Sequence, residues 1–507
     1  MARHPLPAFM LLALLHGVTM VLVRPMFQVS DELTYFAGAQ EAAVRLVARQ
    51  PGDPDRARLL HHDLFVYDAP AGKPLFRYAG GAAYIALSHI VRLPDGALLL
   101  RLFYVLSLPV AVLATWLLAS RLAPGNRTVL LCAPLFVALH PVFVKYSAAV
   151  TPDAWANAAA MFAVWLAVRI ADGTARGIEP LVALLVSAVA IALKDTSFFL
   201  AALVPCSFLL RLRIGVQTTH GDLLAWIRSD PWLVALPVSV SVVLVVSLLT
   251  STVSSVLASP YEMNLNGALS LSRIPALGLE MVATTWQQIP SLFDSFWGNL
   301  GNFGATIVPI PAAVMRVILV ATLLAGVGLL LAAWRRPSST DEALESRAGV
   351  TLLLIGGALL LLLQPAVRQV LLDADDLFQG RWLFPMMGAI AVALTAGWSA
   401  LWPQPDRLSP LIGWLLATYA VTAMVVVVIP YYYVNFPETY RLAGIFVQGT
   451  AGKGADPARV LPYLARPSLL SGNALMVGVL GLWLAWLAVC LVRLPRWAHG
   501  YRARTGH

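Results

Sequence analysis

The chain alternates between long apolar runs and short polar breaks. Runs of about 17 or more residues with almost no charge recur along it, which is the length a helix needs to cross a bilayer. By that criterion roughly twelve spans are expected. Their centres fall near Leu15, Ala111, Val137, Phe162, Ala188, Ala201, Val243, Val320, Ala358, Val392, Ala417 and Leu484. The runs near Ala188 and Ala201 are short and separated only by Lys194-Asp195. The pattern predicts an all-α polytopic protein forming a single integral membrane domain over residues 1–507.

The polar breaks set the orientation. Arg121, Arg127, Arg169, Arg176, Arg211, Arg213, Arg228, Arg335, Arg336, Arg347 and Arg407 fall in alternate short connections. Arg493, Arg496, Arg502 and Arg504 follow in the tail. Basic residues of short loops stay in the cytoplasm, so both termini are expected inside. Three long segments, 24–97, 252–310 and 430–472, are then expected outside, with short outer loops at 145–153, 194–195 and 368–381.

Composition sharpens this reading. Hydrophobic residues make up 59% of the chain and charged residues 12%, which excludes a set of soluble domains. The net charge of +9 is mostly the loop asymmetry. It reads as attraction to anionic lipid on the inner face, not as a nucleic-acid footprint. The first span lacks an A-x-A cleavage site and runs into Arg24-Pro25, so an uncleaved anchor is expected. Cys132, Cys206 and Cys490 sit in separate apolar runs without metal-ligand spacing, as apolar filler.

The outer segments carry the candidate chemistry. Ser30 to about Gln50 reads as an amphipathic helix, with Leu33, Phe36, Ala37, Val44 and Val47 on one face. Glu41 and Arg45 form an i,i+4 pair on the other. Such a helix is expected to lie in the interface, apolar side down, with Asp31 and Glu32 presented to the mouth of the spans. Two readings of that acidic pair stand open. The acids start a helix and complement its dipole by about 0.3–1 kcal/mol, or one of them activates a hydroxyl at the membrane surface.

Thr151 and Pro152 are expected at the N-cap and N1 of the next helix, which makes Asp153 either a first-turn acid or a ligand for a sugar hydroxyl or divalent cation. Lys194 is either turn polarity or a point charge for a lipid phosphate. Arg381, next to Gln379 and Trp382, is either a snorkelling anchor or a fork for phosphate. His61-His62-Asp63 reads as a solvated loop, and Tyr431-Tyr432-Tyr433 as an interfacial belt or a sugar-stacking surface. No nucleotide-binding glycine turn or G-x-S-x-G elbow occurs in a suitable context, so a transferred sugar would come from a lipid-linked donor.

Four strings carry a resemblance. Ser30-Asp31-Glu32-Leu33-Thr34-Tyr35-Phe36 resembles the acidic motif in the first outer loop of GT-C superfamily glycosyltransferases. Tyr146-Ser147 with Pro152-Asp153, Ser295-Phe296-Trp297-Gly298, and Gln379-Gly380-Arg381-Trp382-Leu383-Phe384-Pro385 resemble a bacterial GT-C-like family of unassigned function. The resemblance implies a GT-C-like fold in the bacterial inner membrane, with its active site facing outside. It implies a polyprenyl-phosphate sugar as donor and a glycan, lipid or protein as acceptor. Asp31 is then the expected general base, with Glu32 orienting it or the acceptor. Arg381, Lys194 and Gln379 are expected on the donor, and Asp153 on the sugar or on Mg or Mn. The alternatives are a lipid-linked glycan polymerase or ligase with the same fold, and a transporter or flippase without catalysis.

Overall fold

The computed structural model describes residues 4–24, 32–47, 73–88, 95–218, 274–300, 310–334, 341–372, 379–402, 404–430 and 474–500. No strand occurs among the described residues. The first half holds α1 (Pro5–Val23), α2 (Glu32–Val47), α3 (Pro74–Ser88), α4 (Asp95–Val105), α5 (Ser107–Leu122), α6 (Arg127–Leu139), α7 (Pro141–Ser147), α8 (Asp153–Ala171), α9 (Glu179–Leu193) and α10 (Leu200–Thr218). The second holds α11 (Ile274–Gly298), α12 (Ala312–Trp334), α13 (Asp341–Leu372), α14 (Met387–Ala400), α15 (Pro405–Val421) and α16 (Ala474–Gly500). Short 3-10 segments over Asp195–Phe199 and Gly380–Met386 lead into α10 and α14.

Eight stretches among the described residues are long and apolar enough to cross a membrane. They contain the expected centres Leu15, Ala111, Phe162, Val320, Ala358, Val392, Ala417 and Leu484. The protein is an all-α polytopic membrane protein. The run at Val137 is a broken span, α6 and α7 meeting at 57°. Pro141 lacks an N–H and disfavours helical geometry at His140. The His140 imidazole then caps α7 by accepting from the Phe143 N–H at 3.2 Å. The run near Ala188 is the short apolar α9, and the run near Ala201 is the start of α10. Val243 lies outside the described residues.

Two local expectations are corrected. The apolar face of α2 exists, but protein covers it: Phe36, Ala39 and Ala43 pack with Phe76 and Tyr84 of α3 and with Leu100 and Tyr104. Gly81 permits this crossing, since a Cβ there would stand 2.7 Å from the Ala43 nitrogen. Apolar side chains gain from such a partner what they would otherwise gain from lipid. At the start of α8, Pro152 and not Thr151 holds the N-cap position, without a side-chain cap. The Thr151 hydroxyl instead donates to the Tyr146 carbonyl at 3.2 Å, closing the turn before it.

The loop arginines gather at one end of the bundle. Arg121 pairs with Asp172, Arg169 with Glu179 at 2.8 Å, and Arg127 donates to the Ala498 carbonyl at 3.0 Å. Asn126 bridges to the Ser399 hydroxyl at 2.7 Å. The connections α5–α6, α8–α9 and the end of α14 therefore share this arginine end. The opposite end holds the last residues of α1, the start of α2, and the turns before α8, α10 and α14.

Candidate functional site

A buried latch organises that opposite end. Glu32, the first residue of α2, has no exposed surface, and neither has Arg101. The Glu32 carboxylate accepts from Arg101 Nε at 2.6 Å and from Nη2 at 2.5 Å, a bidentate fork. It also accepts the Val150 N–H at 3.0 Å. Arg101 Nη1 donates to the Arg24 carbonyl at 2.9 Å. Arg24 in turn donates to the carbonyls of Lys145 and Ala148 at 3.2 and 3.0 Å. The end of α1, the start of α2 and the 145–153 turn are thereby tied together. Burial alone would raise the Glu32 pKa, but Arg101 outweighs it and holds the carboxyl below the ordinary glutamate range.

Beside the latch lies a cavity of about 420 Å³, lined by Tyr35, Lys73, Pro152, Asp153, Leu193, Lys194, Asp195, Thr196, Arg381 and Trp382. Each carboxylate has an ammonium partner. Lys194 Nζ donates to Asp153 Oδ2 at 3.2 Å, and Lys73 pairs with Asp195. Lys73 also donates to the Ile191 carbonyl at 2.8 Å, and Lys194 stands 5.6 Å from the centre of the Tyr35 ring. Burial lowers the Lys194 pKa, but the Asp153 carboxylate more than restores it, so the ammonium is held above the ordinary lysine range. Arg381 lies 5.4 Å from the Tyr146 ring centre. Asp153 Oδ1 and Thr196 Oγ1 are buried without a hydrogen-bond partner among the described residues. One is an acceptor and the other a hydroxyl, and both belong to residues that line the cavity.

The sequence strings converge here. Gly380 donates its N–H to Ser295 Oγ at 2.6 Å, and a Cβ on Gly380 would stand 2.1 Å from the Phe296 nitrogen. Phe384 packs against Phe296 and Tyr146, with centroids 5.7 and 6.0 Å apart. The Tyr146, Ser295 and Gln379 strings thus form one wall that carries Arg381.

Of the expected site residues, Asp153, Lys194 and Arg381 share the cavity. Gln379 precedes the 3-10 turn, is half-buried, and is not among the lining residues. Glu32 was expected at the mouth and is instead sealed in the latch, because a buried guanidinium holds both its oxygens. Asp31 lies outside the described residues, as do His61-His62-Asp63, Tyr431-Tyr432-Tyr433 and most of the three long loops. Lys73, Thr196 and Arg101 were not singled out from the sequence. Arg101, alone in an apolar run, was the readable signal, since an intramembrane arginine requires a partner. Lys73 stands directly before Pro74 at the start of α3, in a long segment with several other cations and no pattern to single it out. No group of three or more His, Cys, Asp or Glu able to hold a metal occurs among the described residues, which do not include Asp31.

Comparison with known proteins adds a family. Residues 76–389 match the model of a family described as predicted membrane protein (DUF2142). No curated protein matches the chain. Among solved structures, the archaeal oligosaccharyltransferase AglB from Archaeoglobus fulgidus, in complex with an inhibitory peptide and a dolichol-phosphate, is similar at TM-score 0.45 and 13% identity, over 82% of this chain and 55% of that one. The apo oligosaccharyltransferase of the same organism gives 0.44 and 12%, over 84% and 55%. The chain spans about half the length of these proteins.

Proposed function

The chain belongs to the DUF2142 family of predicted membrane proteins, and on that premise we propose that it is a membrane glycosyltransferase. It moves a sugar from a polyprenyl-phosphate donor to a glycan, lipid or protein acceptor at the outer face. The observation that carries this reading is the cavity lined by Lys73, Lys194, Arg381 and Asp153, whose Oδ1 has no partner among the described residues. Cations suit a phosphate, a buried carboxylate oxygen that lacks a partner suits a sugar hydroxyl, and ends of apolar helices suit a ligand that arrives from the bilayer.

In the proposed reaction the acceptor oxygen attacks the anomeric carbon. The bond from that carbon to the phosphate oxygen breaks, and its electron pair leaves with the lipid phosphate. The acceptor proton passes to a carboxylate acting as general base. Glu32 is committed to Arg101 and Val150, so the base of the acidic pair is Asp31. Lys194 and Arg381 stabilise the charge growing on the departing phosphate.

Asp31→Asn tests this. General-base catalysis is typically worth about 10²–10⁴-fold, and turnover should fall by that factor with the melting temperature unchanged. Cells lacking the chain would be complemented with wild type or Asp31→Asn, and their glycolipids and envelope glycans compared by mass spectrometry. Restoration of the missing glycan to wild-type level by Asp31→Asn would remove Asp31 from the mechanism.

A further inference from the structure

Resting on the lipid-phosphate reading of the cavity, we propose that Lys73, Lys194 and Arg381 neutralise the anionic ligand in place of a divalent cation, so that phosphate-lipid binding is independent of metal. The argument starts from the carboxylates. A catalytic Mg²⁺ is commonly held by one or two carboxylates plus substrate phosphate, with oxygens at about 2.0–2.1 Å in near-octahedral array. The cavity offers two carboxylates among the described residues, Asp153 and Asp195. Both already carry an ammonium group: Lys194 at 3.2 Å on Asp153, and Lys73 on Asp195. The charge that would attract a metal is therefore spent on lysines fixed in the wall.

The cations also face one another. Lys194 and Arg381 line the same cavity, and the Arg381 charge disfavours the Lys194 ammonium. Two like charges that line one space are relieved by an anion between them, and a further cation would add to the repulsion. The lysines are well fixed for this task. Lys73 is held by Asp195, by the Ile191 carbonyl and by the Phe198 ring 4.5 Å away. The Thr196 hydroxyl, buried and without a partner among the described residues, supplies a neutral donor to a phosphate oxygen. Asp153 Oδ1 remains for a hydroxyl of the sugar. Each lysine then plays two parts: it cancels a carboxylate that would otherwise repel phosphate, and it offers its remaining N–H groups to the ligand.

The test uses the full chain in lipid nanodiscs with a polyprenyl monophosphate as probe, titrated in EDTA and in millimolar Mn²⁺. Equal affinity in the two buffers, and no change of melting temperature with Mn²⁺ alone, are expected. Lys194→Ala should weaken the lipid about 10–100-fold in EDTA, the range for a lost hydrogen bond to a charged group. Should Lys194→Ala fail to fold, Lys73→Ala, at a half-buried position, replaces it with the same expectation. Binding that requires Mn²⁺ would overturn the inference and leave the lipid-phosphate reading intact. Unchanged affinity in a folded lysine variant would overturn it as well. No binding in either buffer would overturn both.

Discussion

At the scale of the residue, Asp31 and Glu32 are adjacent acids with opposite expectations. Glu32 is bound at 2.6 and 2.5 Å by a fully buried Arg101. Breaking a buried pair strands the remaining charge, which costs about 3–5 kcal/mol. Glu32→Gln should therefore lower the melting temperature in detergent sharply, where Asp31→Asn does not. The pH dependence follows from the same contact. The folded Glu32 pKa lies below its ordinary value of 4.5. The folded state thus gives up its proton more readily, and the stabilisation is complete above 4.5 and is lost as pH falls through the folded value. Melting temperature followed from neutral pH down to about pH 3 should drop more steeply in wild type than in Glu32→Gln, whose side chain does not titrate. Parallel curves would place the acid sensitivity elsewhere.

At the scale of the element, two pieces of backbone touch beside the cavity. The end of α11 and the 3-10 turn before α14 meet where Gly380 has no Cβ, with only 2.1 Å available to the Phe296 nitrogen. Gly380→Ala must push the turn away, at an overpacking cost of about 1–3 kcal/mol, and move Arg381 with it. We expect Gly380→Ala to lose both melting temperature and polyprenyl-phosphate affinity. Gly125→Ala, at a glycine with nothing within 4 Å, should change neither. A Gly380→Ala protein with wild-type affinity would show that the cavity does not depend on this contact. The contact also marks what the sequence makes legible. The Ser295 and Gln379 strings stand out as strings, and the apolar spans stand out by length. That Ser295 Oγ receives the Gly380 N–H has no periodic signature, because it joins residues far apart in the chain. The same holds for α2: its apolar face is readable, but lipid and a neighbouring helix present the same preference to Phe36 and Ala39, and the close approach at Gly81 shows only in the structure.

At the scale of the whole molecule, the arrangement has a direction. Arg121, Arg127 and Arg169 share one end with Asp172 and Glu179, while Lys73, Lys194 and Arg381 surround a cavity at the other. Both ends are basic, so charge alone does not distinguish them. The number of basic residues in short connections does: Arg121, Arg127, Arg169 and Arg176 crowd two short connections at the arginine end, where basic residues are retained in the cytoplasm, whereas Lys73 of the cavity belongs to a long segment, where that rule loses force. The arginine end should face the cytoplasm and the cavity should face outside, where a polyprenyl-phosphate sugar would meet its acceptor. Single cysteines test this in intact cells with a membrane-impermeant maleimide, after replacement of the exposed Cys206; Cys132 and Cys490 are buried. Arg45→Cys, on α2 at a side chain 58% exposed, should label without permeabilisation. Gly125→Cys, in the open turn between α5 and α6, should label only after it. The reverse pattern would turn the protein over and put the cavity in the cytoplasm. A donor would then have to be presented on the inner leaflet, and the proposed outer-face transfer would fall even if every contact in the cavity stood.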